Sequence, residues 1–474
     1  MQYFKFLNAL SLQTLFSFLI LFLASVIRHL LFHSAAYDLG IFDNAVYLIS
    51  RGKNPYITFR GLHILGDHAA FILYPIATLY SLYPSVYWLF FIQSLSLSLA
   101  VLPLIKICSL FGINGEKSRT ICLVYWLYPV IFNVNIFDFH PETIATPLFF
   151  IATLASNAFG NSYSLRRRWY WFVASIILIL GCKAVLSLNV AAMGLWLLLF
   201  RRRKIEGLVA TSMGVLWFII SSQIVIPKFS GEEAAAVGRY SYLGNSVIEI
   251  IVNVFTKPKT VLSHLLTLPN LEYLTLLFIP VIPIIAWQEI DNLLPAIPTI
   301  VINLLADYLP QKNLVYQYSI PIVPFLIITA VASLGRQKTL LSKDIKIRIW
   351  ALIMFLALTR WTAFLPITPT SYWRDVHQWQ ATRKAIELID NKEVVFTNHR
   401  YAPHLTHRET VYLADETIDY QQVVKSKYIL LNAKNPGYPT SQEEMKRLIN
   451  FLLTNNDFIL VYQRDDIFLF TRKN

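Results

Sequence analysis

Cysteine is scarce: Cys108, Cys122 and Cys182 are the only three in 474 residues. All lie within or at the edge of apolar runs, so no disulfide framework is implied and they read as small core residues. Charge is scarce too, at 15% of residues against 55% hydrophobic, with mean hydropathy +0.50. That balance excludes one or two ordinary soluble domains and makes lipid the solvent for much of the chain. Acids are the rarer sign, 28 against 41 Lys and Arg, for a net charge of +13. In a soluble protein the excess would suggest nucleic acid. Here the bases collect at the ends of apolar runs, where membrane proteins carry them to set orientation, and no nucleic-acid partner is expected. Internal repeats, low-complexity tracts and a small-residue cleavage site after the first apolar stretch (Ala9–Ile27, preceded by Lys5) are also missing, so that stretch reads as an uncleaved first helix.

Apolar segments near the roughly 20 residues a span requires occur at 9–29, 85–111, 119–137, 143–160, 205–226, 316–335 and 347–366. Two pairs, 169–182 with 185–200 and 271–288 with 293–306, contain members too short to cross comfortably. Each is either two tilted helices or a re-entrant hairpin. The expected fold is mainly α: a polytopic membrane bundle of about eleven spans, counting both pairs, over residues 1–368, followed by a small α/β domain over 369–474. Bases at Lys117 and Arg119, Arg166 to Arg168, Arg201 to Lys204, and Arg336, Lys338, Lys343, Lys346 and Arg348 fall in alternate loops, which are therefore cytoplasmic. The turn at Glu289 and Asp291 falls on the same side without a base of its own. Outside lie 30–84, 138–142, 227–270, 307–315 and everything after about 367. This puts the N-terminus in the cytoplasm of a plasma-membrane protein and the C-terminal domain outside. In that domain EVVFTN (393–398), TVYLA (410–414) and KYILLNA (427–433) read as strands, 374–390 and 441–454 as helices, and FILVYQRDDIFLFT as a hairpin. Thr440 or Ser441 with Glu443 or Glu444 makes a capping box.

The polar residues that could carry chemistry gather at the outer ends. Asp38 and Asp43 follow the first helix; either they serve chemistry there, or Asp38 caps a helix from Leu39 to Ser50 and Asp43 lies on its wet face. His63, Asp67 and His68 form a dense cluster in which His63 and Asp67 would share one helical face, as a metal or acid/base pair would need; an interfacial polar cluster reads the same way. In FDFHPE, Asp138, His140 and Glu142 alternate in a loop too short for a domain; the alternative is a solvated turn with Pro141 starting the next helix. Basic partners are Lys183, Arg239 and Arg360, the last inside the final span, where it needs a partner or must snorkel. Tyr316 and Tyr318 start a span at the outer side and line a groove or belong to the interfacial belt. Ionisable residues are nearly absent from span centres, unlike an ion-coupled transporter.

The runs YDLGIFDNAVYLISRG, GDHAAFILYPIATLYSLYPSVYWLFFIQ, FDFHPETIATPLFF, CKAVLSLNVAAMGLWLLLFRRRKIEG, RYSYLGNS and LPAIPTIVINLLAD resemble, in order over roughly residues 10–335, a bacterial and archaeal family of predicted membrane proteins of unknown function, itself similar to the GT-C glycosyltransferases. The resemblance implies a GT-C-like bundle, an acid after the first helix at Asp38, and His63, Asp67 and His68 in an interfacial segment. It also implies sugar transfer from a polyprenyl-phosphate donor at the outer face, with a divalent metal left open. Asp38, Asp43, His140 and Glu142 are then the catalytic candidates. His63, Asp67, His68, Lys183, Arg239, Tyr316, Tyr318 and Arg360 are candidates for substrate or phosphate. The segment after the first helix lacks an adjacent Asp-Glu pair, and Lys183 stands where a Lys-Glu-Asp-like run is expected. The rival functions are a non-catalytic carrier or scaffold for lipid-linked substrate and, further off, an ion-coupled transporter.

Overall fold

A computed structural model describes residues 2–160, 165–336, 339–390 and 392–473. Lys338, and the side chains of Lys5 and Arg166, lie outside that description. The chain forms two compact units. One comprises Met1–Leu23, Leu65–Ile72 and Phe91–Arg360; the other comprises Ala24–Ile64, Leu73–Phe90 and Trp361–Asn474.

The first unit is helical. Among the described residues of the whole chain, four helices are long and apolar enough to cross a membrane: Leu10–Leu30, Tyr87–Leu110, Lys204–Ser230 and Gln317–Gly335. The number rises to six if the bent pairs Glu116–Trp126 with Pro129–Phe137 and Pro258–Leu265 with Leu268–Phe278 each make one span. The 42° bend of the first pair falls where Pro129 starts a new helix, since proline has no N–H to continue the old one. The ambiguous pair at 169–200 is two separate helices, Leu165–Cys182 and Leu186–Leu199. Leu186–Leu199 packs closely on Lys204–Ile220 through glycine: a methyl on Gly194 would lie 2.3 Å from the Thr211 nitrogen, and one on Gly214 would lie 2.5 Å from that of Ala191. Small residues let helix backbones approach where no hydrophobic effect drives them together. Buried amides add polar ties. Asn135 donates to the Leu21 carbonyl at 2.7 Å, and Asn189 to that of Pro295 at 2.9 Å.

The acidic turn that had no base of its own obtains two from elsewhere. Arg201 pairs with Asp291 at 2.6 Å and Arg336 with Glu289 at 2.8 Å. Both arginines come from loops read as cytoplasmic, so the turn shares their face of the bundle.

In the second unit β1 (Tyr56–Ile57) and β2 (Leu62–His63) form a short antiparallel pair. Then come β3 (Val395–Thr397), β4 (Val411–Leu413), β5 (Tyr428–Asn432), β6 (Phe458–Arg464) and β7 (Ile467–Arg472), in the order β4-β3-β5-β7-β6. The first three are parallel and the last two an antiparallel addition. β6 and β7 are joined through Asp465 and Asp466, both at positive φ, as a two-residue hairpin turn requires. The helix Gln442–Thr454 covers the sheet with Met445, Leu448, Ile449 and Leu452, against Phe396, Ile429, Leu431 and Phe470. Its cap is Ser441, whose hydroxyl accepts from the Glu444 N–H at 3.1 Å.

Candidate functional site

In the second unit the first helix gives way to a π-turn, Ala36–Gly40, that runs into the helix Ile41–Ser50. Asp38 sits inside this turn and does not cap the helix: the N-cap position is Gly40, with no side-chain cap. Asp43 does not lie on a wet face. It is 1% exposed, and its carboxylate accepts from the Tyr80 hydroxyl at 2.6 Å, from the Thr406 hydroxyl and from His407 Nε2 at 3.2 Å. Burial alone would raise the Asp43 carboxyl; the His407 charge and the three hydrogen bonds hold it below its ordinary value instead. Burial likewise pushes His407 down, but Asp43 outweighs it and the imidazole ends above its usual value, with its ring stacked on Tyr47 at 5.0 Å.

The turn carrying Asp38 meets the carboxyl ends of the parallel strands, the edge at which open α/β sheets place ligands. Tyr37 donates to both oxygens of Asp415, at 3.1 and 3.0 Å. Asp415 follows β4 and pairs with His399, which follows β3, at 3.0 Å. Asn44 donates to the carbonyls of Thr406 and Arg408 at 2.6 and 2.9 Å. The half-buried Asp38 is therefore held on a turn fixed from the end of the chain. Thr406, His407 and Asp415 escaped the sequence reading because nothing in local pattern announces a partner more than 300 positions away, and Tyr80 because its partner Asp43 lies 37 positions back on another helix.

The first unit gathers a second polar group. FDFHPE is not a solvated turn: Asp138 and His140 are each 1% exposed and Glu142 is 4% exposed. Asp138 adopts φ +138°, costly for a residue with a Cβ and held only where the surroundings over-determine it. Gln93 does so, donating to the Asn135 and Asp138 carbonyls at 3.0 Å each and accepting from the His140 N–H at 2.9 Å. Lys183, between the helices Leu165–Cys182 and Leu186–Leu199, pairs with Glu142 Oε1 at 2.5 Å. Glu142 Oε2 is buried without a hydrogen-bond partner among the described residues. The His140 ring stacks on Phe137, which meets Tyr316 edge-on.

The remaining candidates are dispersed. His63 cannot share a helical face with Asp67, because its backbone is paired with Tyr56 in the β1–β2 ladder; the helix Ile64–His68 begins after it. Asp67 pairs with His68 at 3.2 Å. Arg239 stands over the rings of Tyr308 and Tyr318, at 4.6 and 5.2 Å, and donates to Gln311 at 3.0 Å. Arg360 is not inside a span. The helix Asp344–Leu358 ends before it and its side chain is exposed, while its N–H donates to Asn133 at 2.9 Å. Among the described residues no group of three or more His, Cys, Asp or Glu could hold a metal ion.

The fold is similar to that of ArnT. ArnT from Cupriavidus metallidurans bound to undecaprenyl phosphate superposes with a TM-score of 0.58 at 11% identity, covering 97% of each chain. The apo form of ArnT gives 0.51 at 12% identity over 95% of this chain and 97% of that one. By sequence, residues 28–469 match the family described as predicted membrane protein (DUF2079), and the chain belongs to that family. No curated protein matches it.

Proposed function

We propose that this protein is a membrane glycosyltransferase that moves a sugar from a polyprenyl-phosphate donor to an acceptor hydroxyl at the outer membrane face, with its N-terminus in the cytoplasm and residues 369–474 outside. The observation that carries the reading is the likeness, over nearly the whole of both chains, to a fold solved with undecaprenyl phosphate bound. In the reaction, the bond from the anomeric carbon to the phosphate oxygen breaks and its electron pair leaves with the phosphate. The acceptor oxygen forms the new bond, and its proton passes to a carboxylate. Asp38 takes that role. It stands on the short turn Ala36–Gly40 that follows the first helix and is half-buried, while its neighbour Asp43 is almost fully buried. Asp43 acts as a positioning group that ties the turn's helix to the 403–408 segment.

Lys183 and Arg239 are the first unit's candidates for holding a phosphate, where fixed cations stabilise charge. Arg239 is pre-oriented by two tyrosine rings and Gln311. Lys183 starts paired with Glu142, so a phosphate gains from it only by competing with that carboxylate. Tyr316, through Phe137, helps fix the ring of His140, the alternative proton acceptor.

Asp38→Asn and Asp38→Ala should both lower transfer from a polyprenyl-phosphate sugar by about 10²–10⁴-fold, with normal accumulation of the protein. Because Asp38 caps no helix, neither change removes a helix cap. Full activity in a well-expressed Asp38→Asn protein would end this assignment and move attention to His140 and Glu142. Donor binding without turnover in the wild type would favour a carrier.

A further inference from the structure

Two open grooves on the first unit share Leu102. The larger, about 570 Å³, runs between the first helix, from Leu10 to Phe18, and the stretch from Leu95 to Leu102. The smaller, about 240 Å³, lies among Leu102, Lys106, Ala155 and Trp171. Proline explains why the surface is not filled by its own helix. Pro103 has no N–H to give the carbonyl four residues back, and the run from Tyr87 is interrupted at Ala100, between Tyr87–Leu99 and Val101–Leu110. Leu99 and Leu102, on either side of this break, both line the larger groove. That groove suits hydrocarbon, since the Thr14 hydroxyl is spent on the Leu10 carbonyl at 2.9 Å. It ends at Phe18, which meets Phe91 edge-on at 5.4 Å and stacks on Phe22 at 5.7 Å. Leu10 to Phe18 is about 12 Å of helix, less than half the roughly 30 Å over which a neighbouring helix would pack and close to the depth of one leaflet's hydrocarbon.

Charge stands at the mouth of the smaller groove. Lys106 lies one turn beyond Leu102 on Val101–Leu110, and Arg167 one turn before Trp171 on Leu165–Cys182, spacings that make each pair neighbours on one helix face. Other bases of that side are spent on acids, Arg119 and Arg348 on Glu116 and Arg168 on Glu206. Lys106 and Arg167 are exposed and make no ion pair among the described residues. Trp171, 51% exposed, is placed as an interfacial anchor. We infer that the two grooves are one site for an anionic diacyl phospholipid of the leaflet on the basic side, with its phosphate at Lys106 and Arg167 and an acyl chain in each groove beside Leu102. Basic pockets between spans on the cytoplasmic side take such headgroups. The site stands apart from the Glu142–Lys183 group, because Ala155 and Glu142 are at opposite ends of one helix, about 20 Å apart. It owes nothing to the transfer reading, so either can fail while the other stands.

The test uses the full chain, purified in detergent and stripped of lipid, titrated with phosphatidylglycerol or with phosphatidylcholine of the same acyl chains and read by native mass spectrometry. One phosphatidylglycerol should be held about 20–30-fold more tightly than phosphatidylcholine if both cations act. Lys106→Gln and Arg167→Gln should each cut that preference about fivefold and leave phosphatidylcholine binding unchanged. Leu99→Trp, which fills the larger groove, should weaken both lipids alike. All three positions are exposed at least in part, and if one charge variant does not accumulate the other decides. Equal binding of the two lipids by the wild type would show an ordinary lipid annulus and overturn the inference. A preference unaltered in the folded charge variants would place the anionic lipid elsewhere and overturn it equally. Disulfide cross-linking of Leu99→Cys between copies in native membranes would show a second copy in the groove, with the same consequence.

Discussion

Replacing Asp43 by Asn tests whether the segment after the first helix and the C-terminal segment are held together by charge. Asn keeps the size of the side chain but removes the negative charge and sets an NH₂ against one of three donors: Tyr80, Thr406 or His407. Removing one partner of a buried ion pair costs about 3–5 kcal/mol. The lower end applies here, because the His407 side chain is 32% exposed and water screens it. For a folding unit of 150–250 residues that corresponds to a fall in melting temperature of roughly 6–12 °C. The loss should depend on pH in a definite sense. A carboxyl held below its ordinary 3.8 stabilises the fold above that value, and the contribution disappears as pH falls through the folded value. An imidazole held above 6.5 stabilises the fold fully below 6.5, and its contribution fades as pH rises through the folded value. The pair is therefore strongest between the two, and the gap between wild type and Asp43→Asn should be widest near pH 6 and narrower near pH 9. In the variant, burial together with Arg51 and Arg408 pushes His407 down without opposition, so its stability should rise with pH across the imidazole range. Scanning fluorimetry of the detergent-solubilised protein from about pH 5 to pH 9 reads all of this. Melting temperatures within about 2 °C at pH 6, or a gap equally wide at pH 9, would refute the pairing.

Gly194→Ala should destabilise the membrane unit by about 1–3 kcal/mol, as overpacking does, because the added methyl meets the backbone and hydroxyl of Thr211; an unaltered thermal transition would contradict the close packing of those two helices. A periplasmic-type reporter fused after Asn474 should be active outside and silent in the cytoplasm, and activity only in the cytoplasm would reverse the proposed orientation.

The C-terminal elements were legible almost residue by residue, since TVYLA, KYILLNA and the final hairpin alternate or cluster β-branched and aromatic residues as strands do. The capping box resolved to Ser441 and Glu444. Four of the apolar runs are helices long enough to cross a membrane, while others are shorter or broken. Proline and the demands of packing divide even a spanning run into pieces such as the 3₁₀ turn Gln317–Ile322 leading into Val323–Gly335. Hydropathy averages over such breaks. Family membership, too, was readable from ordered motifs. The site was legible only by residue type. Asp43 looked like a surface acid because its helix is amphipathic taken alone, and its burial is created by Tyr80 and His407. Glu142 and Lys183 were each suspected, yet their pairing joins different helices and leaves no periodicity in sequence.

The setting of Asp38 depends on chain that is made long after it. Tyr37 waits for Asp415, and Asp43 for His407, which lies 364 positions further on. At about 5–20 residues per second, the ribosome reaches that partner roughly 20–70 seconds after adding Asp43. Throughout that interval Asp43 lacks the partners that bury and neutralise it. Assembly of the turn that carries Asp38 is thus coupled to synthesis of residues 403–415: a chain that stops before them leaves Tyr37 and Asp43 without Asp415, Thr406 and His407.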